Sequence, residues 1–173
     1  MKKLLIPFLA YILFASTQAQ AQKFGYCNSA LILSEMPEVK QADSDLKAFQ
    51  TQLQKRGQEM VKDLQAKAAA LQDKQDKGLI SPKNYQTQAE ELKKEEEAIG
   101  AYEQEMYTKL SEKREQLYTP ILNRVNNAMK EAAIENGFMY VFDLTSQALL
   151  YSDESLDVSQ LVREKLAASK SGE

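Results

Sequence analysis

The side chains with most chemical potential in this chain are a run of carboxylates, Glu90, Glu91, Glu95, Glu96 and Glu97, and a single thiol, Cys27. Paired carboxylates can divide acid and base roles when a cleft gives them different environments. Here the run is interleaved with Lys93 and Lys94, the pattern of a solvated helix face whose charges pair with one another. With no His and one Cys, the chain lacks the usual zinc ligand sets, every Ser-His or Cys-His pair and any intrachain disulfide. It also lacks a glycine-rich phosphate loop. Cys27 falls in a predicted strand and reads as a small buried hydrophobe rather than a reactive thiol. The chemistry expected is therefore binding rather than catalysis, with no metal and no cofactor.

Binding chemistry is carried by a second set of residues. Tyr85, Tyr102, Met106 and Tyr107 lie on a predicted helix with only one partner helix to cover it, so not all of them can be buried. Leu79 and Ile80 sit at a turn, flanked by Lys74, Lys77 and Lys83. Scattered apolar and polar contacts of this kind suit an adaptable, promiscuous surface. A solvated coiled coil with ordinary turn hydrophobes is the plainer reading of the same residues.

The elements that position these residues follow from composition and period. The 173 residues include only six Gly and four Pro, so long uninterrupted elements must fill most of the chain. Lys+Arg number 22 against 25 Asp+Glu, a net charge of −3, and no basic field for nucleic acid is present. Residues 1–21 have the form of a cleaved secretory leader: Lys2 and Lys3, an apolar run from Leu4 to Phe14, then Ala19-Gln20-Ala21. The apolar run is shorter than the ~20 residues of a membrane span, and no lipid-anchor cysteine follows it. Removal of the leader leaves 20 basic and 25 acidic residues, a net of −5, in an exported protein whose membrane contact, if any, is at the surface and unanchored.

From Glu38 the apolar residues Val39, Ala42, Leu46, Phe49, Leu53, Met60, Leu64, Ala68 and Leu71 recur every three or four positions, with one wider gap at Arg56 and Gly57. That narrow seam on a polar circumference is coiled-coil geometry. Gly78 suits a left-handed helix terminus, Ser81 an N-cap and Pro82 the first helical position. A second seam runs through Tyr85, Ala89, Leu92, Ile99, Met106, Leu110 and Leu117 until Pro120, which is expected to break it. Two arms, 37–119 in all and each roughly 60 Å long, thus form an antiparallel helical hairpin.

Around the hairpin, short strands are predicted at 23–29, 138–142 and 148–151, with a turn-like piece at 30–36. Asp157 is placed as the cap of a last helix, with Gln160 completing a weak capping box. The fold class is α+β and mostly α: a small β-rich body from 22–36 and 120–173, interrupted by the hairpin. A body of 69 residues is marginal for an independent core, and its strand edges need cover. Self-association through Tyr26, Cys27, Tyr140, Val141, Phe142 and Leu150 is the expected remedy.

Two glycines within the arms, Gly57 and Gly100, lie at nearly the same distance from the turn, within ~3 Å along the axis. Each costs roughly 1 kcal/mol relative to Ala in a helix interior. Two readings stand: a close backbone approach where no side chain fits, and a soft joint that lets the outer arms swing.

Tyr26-Cys27-Asn28-Ser29 followed by Ile32-Leu33-Ser34-Glu35-Met36-Pro37-Glu38 resembles the opening motif of the Skp/OmpH family of periplasmic chaperones. The resemblance continues in order through Pro120-Ile121, Gly137-Phe138, Val141-Phe142-Asp143, Leu150-Tyr151, Asp157-Val158-Ser159 and Val162. It implies a homotrimer in which a β-rich trimerisation body carries three helical tentacles around a cavity. It further implies an ATP-independent holdase that keeps unfolded outer-membrane β-barrel proteins in that cavity in the periplasm. The alternative is a structural coiled-coil adaptor of the cell envelope with one folded partner.

Overall fold

The structure, a computed structural model, describes residues 22–170, so the leader assigned to residues 1–21 lies outside the described residues. In chain order the elements are strand β1 (Phe24–Cys27), helix α1 (Ser29–Glu35), helix α2 (Pro37–Asp76), helix α3 (Pro82–Glu135), strand β2 (Tyr140–Asp143) and helix α4 (Ser159–Lys170). Short 3-10 turns at Leu144–Ser146 and Glu154–Leu156 lie between β2 and α4. The architecture is α+β and mostly helical, as expected, with a small sheet of two strands rather than three. Two compact units divide it: described residues up to Ile32 together with those from Val125 onward, and Leu33–Arg124.

In the larger unit, α2 and the first part of α3 run antiparallel. Bonds between them join residues ever further apart along the chain: Lys67 with Glu95, Tyr102 with Leu53, and the Tyr118 hydroxyl with the Asp43 carboxylate. Arg124 meets Glu38 at 3.1 Å at the far end. The turn between the helices has the expected chemistry. Gly78 takes φ +67°, and the N–H groups of Gly78 and Leu79 return to the carbonyls of Gln75 and Lys74. This pair of bonds closes a helix whose last carbonyls would otherwise be orphaned. Ser81 then caps α3, its hydroxyl accepting from the Asn84 N–H at 3.3 Å. The seam is unevenly filled: Ala42, Leu53 and Leu71 are buried, and no residue between Leu53 and Leu71 is.

In the smaller unit, β1 and β2 pair in parallel with Phe24 beside Tyr140 and Cys27 beside Asp143. The two strands are more than a hundred residues apart in sequence. Gly25 is buried in β1, where a β-carbon would stand 2.8 Å from Val158 Cγ1 and 3.0 Å from Phe138 Cε1, so no side chain fits. Cys27, Ile32, Val125, Ala132, Val158 and Val162 make up the centre of the core. At the end of α3, Gly137 at φ +68° repeats the Gly78 device, with Gly137 and Phe138 bonding back to Ile134 and Ala133.

Four expectations are corrected. Residues 29–35 are helical rather than turn-like. The Asn28 side chain accepts from the Leu31 N–H at 3.0 Å, and burial of Ile32 anchors the short helix. Pro120 does not end the second arm, since α3 continues through it for fifteen more residues. A proline removes one helical hydrogen bond, whereas ending one helix and starting another strands up to four carbonyls and four N–H groups. Residues 148–151 are not a strand. A strand needs a partner edge, and β1 is flanked on its other side by a single parallel bridge from Tyr26 to Asp157. Finally, the capping box at α4 does not close. Asp157 accepts from the Ser159 N–H at 2.8 Å, but the Gln160 amide bonds Glu164 instead.

Candidate functional site

Polar seam positions and a missing side chain open a groove in the larger unit. Where the apolar period skips at Arg56 and Gly57, α2 offers no large residue to α3, and the space is only partly filled by the ring of Tyr102. The phenol reaches across to donate to the Leu53 carbonyl at 3.1 Å. Beside it lies a groove of about 530 Å³. Gly57, Val61, Ile99, Tyr102 and Met106 form its apolar floor and walls. Gln54, Gln58 and Gln65 rim it, with Lys62 and Glu103 adding one charge of each sign. Its volume is within the range of sites that enclose small ligands or a few side chains.

The residues singled out from sequence fall into three places. Tyr102, Met106 and Gly57 converge on the groove. Lys74, Lys77, Leu79, Ile80, Lys83 and Tyr85 cluster about the turn, where Leu79 is 73% exposed and Lys77 is ion-paired with Asp73 at 2.7 Å. Tyr107 points to solvent, 68% exposed, one residue from Met106 but not part of the groove. Gly100 does not line it either, and a β-carbon at Gly100 would meet nothing within 4 Å. At Gly57 the nearest atom, of the Tyr102 ring, would be at 3.5 Å, an ordinary contact. A methyl group therefore fits at both glycines, which removes the close-approach reading.

Among the carboxylates of the run, Glu95 is paired with Lys67 of the facing helix at 2.6 Å. That hydrogen bond raises the Lys67 pKa above its ordinary value. The pair bridges the two helices between the groove and the turn, and both side chains remain about half exposed.

In the smaller unit Phe24, Tyr140 and Phe142 form a stacked row, with ring centroids 5.8 and 6.4 Å apart. All three rings remain partly exposed, and Leu150 and Tyr151 are almost fully so. Val141 is half-buried. Tyr26 and Cys27, by contrast, are packed inside their own chain. Burial, with the nearby carboxylates of Asp143 and Asp157, pushes the Cys27 thiol up to about 11. Its Sγ lies 3.3 Å from the sulfur of Met129. Such a thiol is a poor nucleophile at neutral pH, in keeping with its expected structural role.

Sequence reasoning missed Val61, the glutamine rim, Phe24 and Gly25. Val61 is out of phase with the seam, and only the gap at Arg56 and Gly57 signalled that the helices part there. Among the described residues, no three or more His, Cys, Asp or Glu side chains are placed to hold a metal ion, and no helix is long and apolar enough to cross a membrane.

A small parallel sheet whose two strands are separated in the chain by a long antiparallel helical hairpin defines a hairpin-bearing α+β fold class. The model of the outer membrane protein (OmpH-like) family matches residues 23–166, and the chain belongs to that family. Among solved structures, it is similar to the crystal structure of a candidate OmpH-like outer membrane chaperone from Caulobacter crescentus CB15. The TM-score is 0.73 at 16% identity, with 90% of this chain and 89% of that chain covered, a likeness of fold. No curated protein matches the chain.

Proposed function

We propose that this protein is a periplasmic holdase chaperone that binds unfolded outer-membrane β-barrel proteins without ATP. Membership of the OmpH-like family supports the chaperone class, and the leader-like residues 1–21 support export to the periplasm. The observation that carries the binding mode is the unfilled seam: between Leu53 and Leu71 the hairpin buries no residue and leaves an apolar groove open to solvent. A hairpin serving only as a spacer gains stability by closing that seam. One that must grip varied apolar segments keeps it open, and many weak contacts add up by multivalency.

The working unit in this reading is a homotrimer whose hairpins surround the client. The partly exposed row Phe24, Tyr140 and Phe142, with exposed Leu150 and Tyr151, supports association through the smaller unit. Aromatic rows of this kind are what oligomer interfaces bury. Phe142→Asp leaves the protomer's buried core intact and places a charge in that row. Light scattering should then show monomers where the parent chain is trimeric, and unfolding of the parent should depend on its concentration.

The function is tested by diluting a urea-unfolded β-barrel protein into buffer with and without the purified mature chain. The expected result is suppressed light scattering near one trimer per client. Aggregation that proceeds unchanged with several barrel proteins sinks the proposal.

A further inference from the structure

We propose that the groove over Gly57 binds an extended, uncharged peptide segment of about five residues with apolar side chains at alternating positions. The inference rests on the holdase reading above and specifies which segment of a client each hairpin recognises.

Three properties of the groove select this occupant. The first is length. Its α2 wall runs from Gln54 to Gln65, which at ~1.5 Å per residue is roughly 16 Å. A strand rising ~3.3 Å per residue covers that distance in about five residues. The second is the arrangement of apolar surface. Val61, Ile99, Tyr102 and Met106 all line the same groove. A five-residue strand turns its first, third and fifth side chains to one side, and about 530 Å³ accommodates that row. The third is the rim. Each of Gln54, Gln58 and Gln65 carries both a carbonyl acceptor and an NH₂ donor. A peptide held away from its own sheet exposes one N–H and one C=O per residue, and neutral amides on flexible stems satisfy both. The opposite charges of Lys62 and Glu103 leave the rim with no net charge. Anionic ligands and charged peptides therefore gain nothing by entering.

This pattern is half of a membrane-spanning β-strand, in which apolar and polar residues alternate over about ten positions. Gly57 makes the floor deep enough. A methyl there would merely touch the Tyr102 ring, whereas a leucine must enter the groove.

The probes are capped, fluorescein-labelled pentapeptides titrated against the full mature chain and followed by polarisation. One alternates Leu, Phe and Val with Ser; one has the same composition with the apolar residues contiguous; one replaces Ser by Lys. Wild type and Gly57→Ala should bind the alternating peptide at least fivefold more tightly than the other two. Gly57→Leu should weaken that binding at least tenfold with helix content unchanged by circular dichroism. The exposed double change Gln58→Ala with Gln65→Ala should weaken it similarly, and it stands as the test if Gly57→Leu loses helix content. No binding of the alternating peptide by wild type up to about 1 mM, equal binding of all three peptides, or unchanged binding by the rim variant overturns the proposal. If wild type nevertheless holds a urea-diluted β-barrel protein, only the groove assignment falls. If wild type binds the alternating peptide selectively but holds no barrel protein, the holdase reading falls and the groove remains a peptide site.

Discussion

The Tyr102 phenol and the Leu53 carbonyl are joined at 3.1 Å from opposite arms of the hairpin. In an α-helix that same carbonyl also accepts from the N–H four residues on, at Gly57. The ring thus lies where α2 carries no side chain, and it takes a second share of a carbonyl already in use. This hydrogen bond ties the two arms together beside the groove.

Removing the phenolic hydroxyl should loosen this point without emptying it. Tyr102→Phe keeps the ring and loses a part-buried hydrogen bond, worth about 0.5–1.5 kcal/mol. The low end is expected, because Leu53 keeps its helical partner. Urea denaturation of the mature chain checks this. A loss well above that range would mean that the ring itself has moved.

The glycines of the arms should tolerate alanine. At Gly100 a β-carbon meets open space, and at Gly57 it meets the Tyr102 ring at 3.5 Å. Each Gly→Ala change should then raise stability by up to ~1 kcal/mol. In the soft-joint reading, the double variant should capture large clients less well than small ones. Equal capture of all sizes by parent and variant would leave the two glycines without a hinge role.

Gly25 should be intolerant. Alanine there drives a methyl to 2.8 Å from Val158 and 3.0 Å from Phe138, and Val158 is itself buried. Overpacking of this kind costs about 1–3 kcal/mol. Val158→Ala in the same chain should recover part of that loss, so a double-mutant cycle by thermal unfolding should show coupling between the two sites.

Asp143 gives the smaller unit a pH dependence of known sign. Burial acts to raise its pKa, but bonds from Ser29 and Thr145 to both carboxylate oxygens outweigh this and hold it below its ordinary 3.8. A folded-state pKa that is depressed contributes stability fully present above the unfolded value and lost as pH falls through the folded one. Stability should therefore fall below about pH 4. Asp143→Asn should cost ~1–2 kcal/mol at pH 7, because the charge-assisted bonds from Ser29 and Thr145 become bonds to a neutral amide. The same variant should show a flatter decline between pH 5 and pH 2. An unchanged acid profile would place the acid sensitivity elsewhere.

What the sequence alone determined is what short-range chemistry controls. Gly78, Ser81 and Pro82 specified the turn, because a left-handed residue, a hydroxyl cap and a proline at the first helical position act within a few residues. The seam spacing specified two long arms for the same reason: a helix is a sum of contacts four residues apart. The tertiary structure decided everything that depends on distant partners. Pro120 breaks a helix by local rule, yet α3 passes through it, since restarting the helix strands more backbone groups than one proline does. Residues 148–151 have strand chemistry but no partner edge within the described residues, while Asp157, with no strand signal, bridges Tyr26. Tyr26 and Phe24 read alike as strand aromatics, and only the fold buries one and leaves the other in an exposed row. The groove has the same origin. A gap in the period at Gly57 marks where α2 offers little, but the groove exists only because α3 places Tyr102, Met106 and Ile99 across from it. That pairing spans some fifty residues of chain and is set by the packing of the two arms, which no local rule encodes.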